Sequence, residues 1–237
     1  MPEILLLNGT VYWGRVIRIG LYYIMKLMKG AGHCLGTCDK RYYLGREVAK
    51  PGDHLVITGL LGGFPGAHLL IKGEDVYGRS DRESLLNILT DPTARINEGR
   101  YMEETRVATA SCDLSDGLAD ALSHFCKDTI GITIDEASLP MRPLAREAAA
   151  KTLCKLHKLA FGAGDWAVAF TVPDKGMKLL QRGKYEGLRL SSIGQFNESG
   201  QKLIKRLDGT VERAPEFVNE QFVKRLEDER NYFELFY

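Results

Sequence analysis

The sequence predicts an α/β or α+β fold, a mixed β-sheet covered by helices. Short apolar, β-branched stretches alternate with amphipathic ones along the chain, and turn residues separate them. Of 237 residues, 44% are hydrophobic and 27% charged, close to the globular average, which excludes disorder as the main state. A chain of this length makes one large or two small domains and needs no disulfide or structural metal to hold a core.

The elements follow in order. Ile4 to Leu7 reads as a strand ending at the Asn8-Gly9 turn pair. Ile17, Leu21, Ile24 and Met28 share one face of a helix. Lys50-Pro51-Gly52-Asp53 is a turn, His54 to Thr58 a short apolar strand, and Gly59 to Gly66 a glycine-rich loop before a helix at Ala67 to Ile71. Asp81 to Thr90 and Pro92 to Glu104 read as helices with polar starts, and Val107 to Cys112 as a strand. Leu118, Ala121, Leu122 and Phe125 mark an amphipathic helix. Ile130 to Ile134 is a strand, Leu144 to Leu153 an Ala-rich helix, and Trp166 to Val172 a strand. Asp174 to Gln181 is a helix and Leu188 to Ile193 a strand. Gly200 and Gly209 bracket a polar hairpin, and a charged helix runs from Pro215 to Arg230.

Lys+Arg 32 against Asp+Glu 31 argues against a broad nucleic-acid surface or a polybasic membrane patch. The five cysteines, Cys34, Cys38, Cys112, Cys126 and Cys154, are odd in number and irregularly spaced, so a reducing, cytoplasmic setting is expected. The opening Met-Pro-Glu shows no export signal, and Val16 to Met28 is too short and too charged to span a membrane.

Three constellations carry candidate chemistry. Asp113-x-Ser115-Asp116-Gly117 lies where a strand ends and a helix begins. Ser115 or Asp116 can simply cap that helix; equally, two carboxylates beside free backbone amides can hold Mg²⁺ and a phosphate. Gly59, Gly62 and Gly63 stand in a loop whose amides can cradle phosphate or merely turn tightly, and no P-loop lysine follows. In Gly162-Ala163-Gly164-Asp165-Trp166, Asp165 caps a turn or meets a ligand or a metal. His33-Cys34-x-x-x-Cys38 lacks a second ligand pair, which weighs against zinc. No side chain stands out as a catalytic base or nucleophile.

Arg46-x-x-Ala49-Lys50-Pro51-Gly52-Asp53, the Val56 to Gly62 stretch, Asp113-Leu114-Ser115-Asp116-Gly117-Leu118 and Gly162 to Trp166 occur in an order that resembles the thiamine-monophosphate kinases. These belong to the aminoimidazole-ribonucleotide (AIR) synthetase superfamily, and the likeness covers about Tyr43 to Gln195. The resemblance implies an AIR-synthetase-like C-terminal domain over residues 43–237, preceded by a segment at 1–42 that is a truncated remnant of the N-terminal domain. It implies an enzyme that uses ATP and Mg²⁺, with Asp113 and Asp116 as metal ligands. Ser115 contacts nucleotide and Arg46 binds phosphate on this likeness, while Asp165 and Trp166 bind a small phosphorylated or heterocyclic substrate. Gly164 stands where the kinases have glutamate, and Trp166 where they have tyrosine. The family's N-terminal acidic motifs are not found before Arg46, so two partners are implied, a second copy in a homodimer or a separate chain supplying the other half-site. The alternative is a non-catalytic nucleotide-binding or regulatory module. Neither nucleic acid nor membrane is an expected partner.

Overall fold

The computed structural model describes residues 43–72, 79–182 and 188–216, together with the backbone of the strands β1 (Ile4–Leu7) and β2 (Cys34–Thr37). The helix expected at Ile17 to Met28, His33, Cys38 and most of the charged helix from Pro215 lie outside the described residues. By contacts the chain divides into two compact units, Met1–Tyr43 and Leu44–Tyr237. In the first, β1 pairs antiparallel with β2, Ile4 opposite Thr37 and Leu7 opposite Cys34.

The second unit is built on a seven-stranded mixed sheet. Its strands are β3 (His54–Thr58), β4 (Ala110–Asp113), β5 (Gly131–Asp135), β6 (Val168–Val172), β7 (Leu190–Asn197), β8 (Lys202–Lys205) and β9 (Val211–Arg213). Their order is β4-β6-β3-β7-β5-β8-β9. All neighbours run antiparallel except β5 and β8. The helices are α1 (Gly63–Lys72), α2 (Arg79–Thr90), α3 (Ile96–Thr105), α4 (Leu118–Phe125), α5 (Pro143–Thr152), α6 (Leu156–Phe161) and α7 (Asp174–Arg182).

The central strands read as continuous apolar runs because both faces of the sheet are buried. On β3, Leu55 and Ile57 join the larger core, while Val56 points to the smaller one with Phe170 and Val172 of β6. The larger core is closed by α1, α4, α5 and α6. The smaller is closed by Met102 of α3 and Leu180 of α7. On α4, all four residues of the expected apolar stripe are buried, as the i, i+3, i+4, i+7 spacing requires.

Several elements differ from the sequence reading; helix α1 begins at Gly63, inside the expected glycine-rich loop of Gly59 to Gly66, because Asp165 accepts from the amides at its start. Helix α3 begins at Ile96, not Pro92, because Arg95 holds a non-helical φ of −91° and ψ of 47°. Helix α6, at six residues, is too short to show a period, and it reads in sequence only as an apolar approach to Gly162. Strand β7 runs on to Asn197, since its second half pairs with β5 from Gly131 to Ile134. No helix among the described residues is long and apolar enough to cross a membrane.

Candidate functional site

Strand β4 ends on Asp113, and four residues turn the chain into α4. The segment before β3 is laid along this turn by backbone bonds, Ser111 N–H to Gly45 O at 2.9 Å and Ala49 N–H to Phe125 O at 3.0 Å. That placement carries Arg46 over the end of the strand. Its Nη2 donates to Asp113 Oδ1 at 2.9 Å, and Ser115 Oγ donates to Asp113 Oδ2 at 2.6 Å. Burial works against the charge on Asp113, but the bonds from Ser115 and Arg46 outweigh it and hold the carboxyl below its usual range. Partial burial lowers the Arg46 pKa; the negative groups at Cys112, Asp113 and Asp120 override this and raise it. Asp116 is exposed at the rim of the same turn. Two exposed carboxylates and a hydroxyl are hard oxygen donors, the set that suits Mg²⁺.

Behind this turn stands a second loop. Gly164 N–H donates to Ser115 O at 2.9 Å, and Leu114 N–H to Ala167 O at 2.8 Å, so the 113–117 and 162–167 segments are stitched together. Asp165 follows at once and points the other way. Its Oδ2 accepts from Gly62 N–H at 2.5 Å and its Oδ1 from Phe64 N–H at 2.9 Å. It thus caps α1, and the amides expected to cradle phosphate donate to a protein carboxylate. Burial pushes its pKa up to about 6, against the opposing pull of the Phe64, Gly62 and Gly63 amides and of Arg142.

The remaining glycines of the first loop serve two arginines. A Cβ on Gly59 would lie 2.5 Å from Arg95 Nη2, and one on Gly63 would lie 2.5 Å from Arg142 Nε. Only a bare backbone admits these guanidinium groups. Arg95 pairs with Glu98 at 3.6 Å. Yet the Nε atoms of both Arg95 and Arg142 are buried without a hydrogen-bond partner, a costly state for a charged donor. Both side chains face a cavity of about 190 Å³, lined also by Phe64, Thr93, Asp165 and Trp166. Ligand pockets for whole drug-sized molecules run to roughly 300–1,000 Å³, so this one suits a head group. Trp166 stands at the rim, 40% exposed, with a positive φ of 51° that a bulky residue rarely adopts.

The structure therefore brings Arg46, Asp113, Ser115 and Asp116 together. It sets Gly62, Gly63, Asp165 and Trp166 in a second group behind them. Arg95 and Arg142 escaped the sequence reading. Neither has a motif; the one local hint is that each neighbours a turn proline, Pro92 or Pro143.

No protein-family model matches the chain. Sequence relatives and solved structures do. The chain is similar to the thiamine-monophosphate kinases. It is 31% identical over 173 residues to the kinase of Pyrococcus horikoshii, covering 72% of this chain and 50% of that one. With the kinase of Escherichia coli K12 it shares 31% over 175 residues, 70% of this chain and 51% of that one. The chain thus spans about half the length of the curated relatives it matches. Among solved structures, the kinase from Stenotrophomonas maltophilia superposes with a TM-score of 0.62 at 27% identity, over 76% of this chain and 57% of that one. A ThiL structure complexed with AMPPCP and TMP superposes with a TM-score of 0.57 at 26% identity, over 73% and 52%. The hydrogenase maturation protein HypE of E. coli, at 17% identity and a TM-score of 0.56 over 73% and 52%, shares the AIR-synthetase-like fold.

Proposed function

We propose that this chain is an ATP- and Mg²⁺-dependent phosphotransferase-like protein acting on a small phosphorylated or heterocyclic substrate. The observation that carries the reading is the convergence of Arg46, Asp113 and Ser115 at the end of β4, with Asp116 beside them, in a relative of phosphoryl-transferring enzymes. Residues 43–237 form the AIR-synthetase-like C-terminal domain that carries this site.

Asp113 and Asp116 hold the metal, which when bound neutralises phosphate charge. Asp113 is ionised over the whole neutral range, as a Mg²⁺ ligand must be. Arg46 lies between Asp113 and solvent, half-exposed, and swings from carboxylate to phosphate with little desolvation cost. Ser115, whose hydroxyl now donates to Asp113, would be placed to contact nucleotide beside a metal held by Asp113 and Asp116. On the far side of the stitched loops, Arg95 and Arg142 line the cavity and bring positive charge to a substrate anion, and Trp166 offers a face for stacking a heterocycle. Gly59, Gly62 and Gly63 support this half-site by admitting the arginines and by seating Asp165.

The test is calorimetric titration of the purified chain with ATP, with and without Mg²⁺. Binding that needs Mg²⁺ and weakens at least about tenfold in Asp116→Asn, with unchanged melting temperature, is expected. Unchanged affinity in that variant sinks the assignment. A second reading is favoured by the chain's match to only half the length of its relatives. In it the site binds nucleotide without transfer, or acts with a second copy or a partner chain supplying the other half-site. ATP binding without turnover of thiamine monophosphate or related phosphates, restored on adding a partner, separates it from the first.

A further inference from the structure

A second cluster lies behind the nucleotide turn and is used by none of the chemistry above. Cys112 is the penultimate residue of β4, and Asp120 and His124 stand one turn apart on α4. Their Sγ, carboxylate and imidazole donor atoms all fall within 4.8 Å of one another. The strand end and the helix thus clasp a single point from two sides.

His124 lies between two charged groups, its Nε2 3.4 Å from Arg46 Nη1 and 3.6 Å from Asp120 Oδ1. Asp120 is buried. One sulfur, one ring nitrogen and one carboxylate oxygen therefore converge where a cation would satisfy all of them.

We propose that Cys112, Asp120 and His124 form a site for a borderline-soft divalent ion of the zinc class, distinct from the all-oxygen Mg²⁺ set at Asp113 and Asp116. Sulfur and imidazole favour zinc-class ions over Mg²⁺. Bonds of about 2.0–2.3 Å set tetrahedral donors about 3.3–3.8 Å apart. The Nε2 to Oδ1 spacing of 3.6 Å already fits that range, and the thiol closes the remaining distance by a shift of about an ångström. His124 is the most open of the three ligands, its side chain 31% exposed. Binding displaces the thiol proton, so that Cys–SH and M²⁺ give Cys–S–M⁺ and H⁺. A cation held there repels the neighbouring Arg46 guanidinium toward Asp113 or phosphate. This site stands whether or not the chain transfers phosphate.

The test is titration of the full chain with Co²⁺ in the presence of a non-thiol reductant and excess Mg²⁺, read by the near-ultraviolet thiolate-to-cobalt charge-transfer band. One equivalent of band-forming Co²⁺ is expected, displaced by Zn²⁺ and unaffected by Mg²⁺. The band should vanish in Cys112→Ser, and affinity should fall at least about tenfold in His124→Ala, whose half-exposed side chain keeps the variant folded. A wild-type chain without the band overturns the proposal. So does a band that survives in Cys112→Ser and disappears in Cys34→Ser/Cys38→Ser, or an affinity unmoved by His124→Ala.

Discussion

Asp113 and Asp165 are the same residue type in two loops joined by backbone hydrogen bonds, and their surroundings could hardly differ more. Asp113 lies at the open end of β4 between Arg46 and Ser115, and is held ionised. Asp165 is half-buried, turned away from that face onto the amides that begin α1, and its pKa is pushed up to about 6. The contrast teaches that an acidic residue beside a glycine-rich motif is not thereby a ligand. Solvent access and the partners already satisfied decide the role. Asp113 has exchangeable partners; Asp165 has backbone partners that nothing else can serve.

The sharpest way to break the comparison is stability. Asp165→Ala leaves the Gly62 and Phe64 amides without their acceptor and strips the cap of α1. It should cost about 3 kcal/mol by urea unfolding, the sum of a lost cap and unsatisfied buried donors. Asp113→Ala removes only half-exposed pairings and should cost less than about 1 kcal/mol. Equal losses would erase the distinction.

The two carboxylates also have opposite pH signatures. Asp165 is raised from 3.8 to about 6 in the folded protein, so the folded state binds its proton more tightly. Its contribution is fully present below the unfolded value and is lost as pH rises through about 6. Two units correspond to about 2–3 kcal/mol. Asp113 is lowered, so its contribution is present above its ordinary value of 3.8 and lost as pH falls below it. Unfolding free energies measured from pH 4 to 7 should therefore fall relative to those of Asp165→Asn, whatever the opposing rise from His157, whose pKa burial lowers. A wild-type-minus-variant difference that rises over that window contradicts the raised pKa of Asp165.

Next in size is Gly164. Its φ is +94°, and an added Cβ would drive into the Phe64 ring. Gly164→Ala should cost about 1–3 kcal/mol, because a left-handed residue is strained even without the clash. The same geometry explains why the glutamate that the kinases carry at this place is not accommodated here. A thermal shift near zero in Gly164→Ala would mean that the loop relaxes freely.

Much of this was legible in the residues. The Asp113 to Leu118 turn, the apolar stripe of α4 and the β8–β9 hairpin each follow from local pattern, because helix period, turn chemistry and capping are local physics. The glycine loop was legible as a place of close approach but not as to what approaches. Its neighbours Arg95, Arg142 and Asp165 come from segments about thirty to a hundred residues away, and no spacing rule connects them. The tertiary pull on Arg95 likewise shortened α3 at its start. Cys112, Asp120 and His124 read as ordinary core and helix residues until the fold put their donor atoms together.

The smallest expected effect is the most discriminating, since it asks the two loops to separate two ligands. Arg46 is half-exposed beside Asp113, and Arg142 lines the cavity. Arg46→Gln should weaken Mg²⁺-dependent ATP binding about three- to tenfold and leave binding of a small phosphate monoester within about twofold. Arg142→Gln should do the reverse. Each change removes one charge-assisted hydrogen bond, worth roughly 1 kcal/mol after solvent exchange. Calorimetry of both variants against both ligands gives four numbers. Weakening confined to the diagonal supports two half-sites on either side of the stitched loops, whereas parallel losses would merge them into a single anion patch.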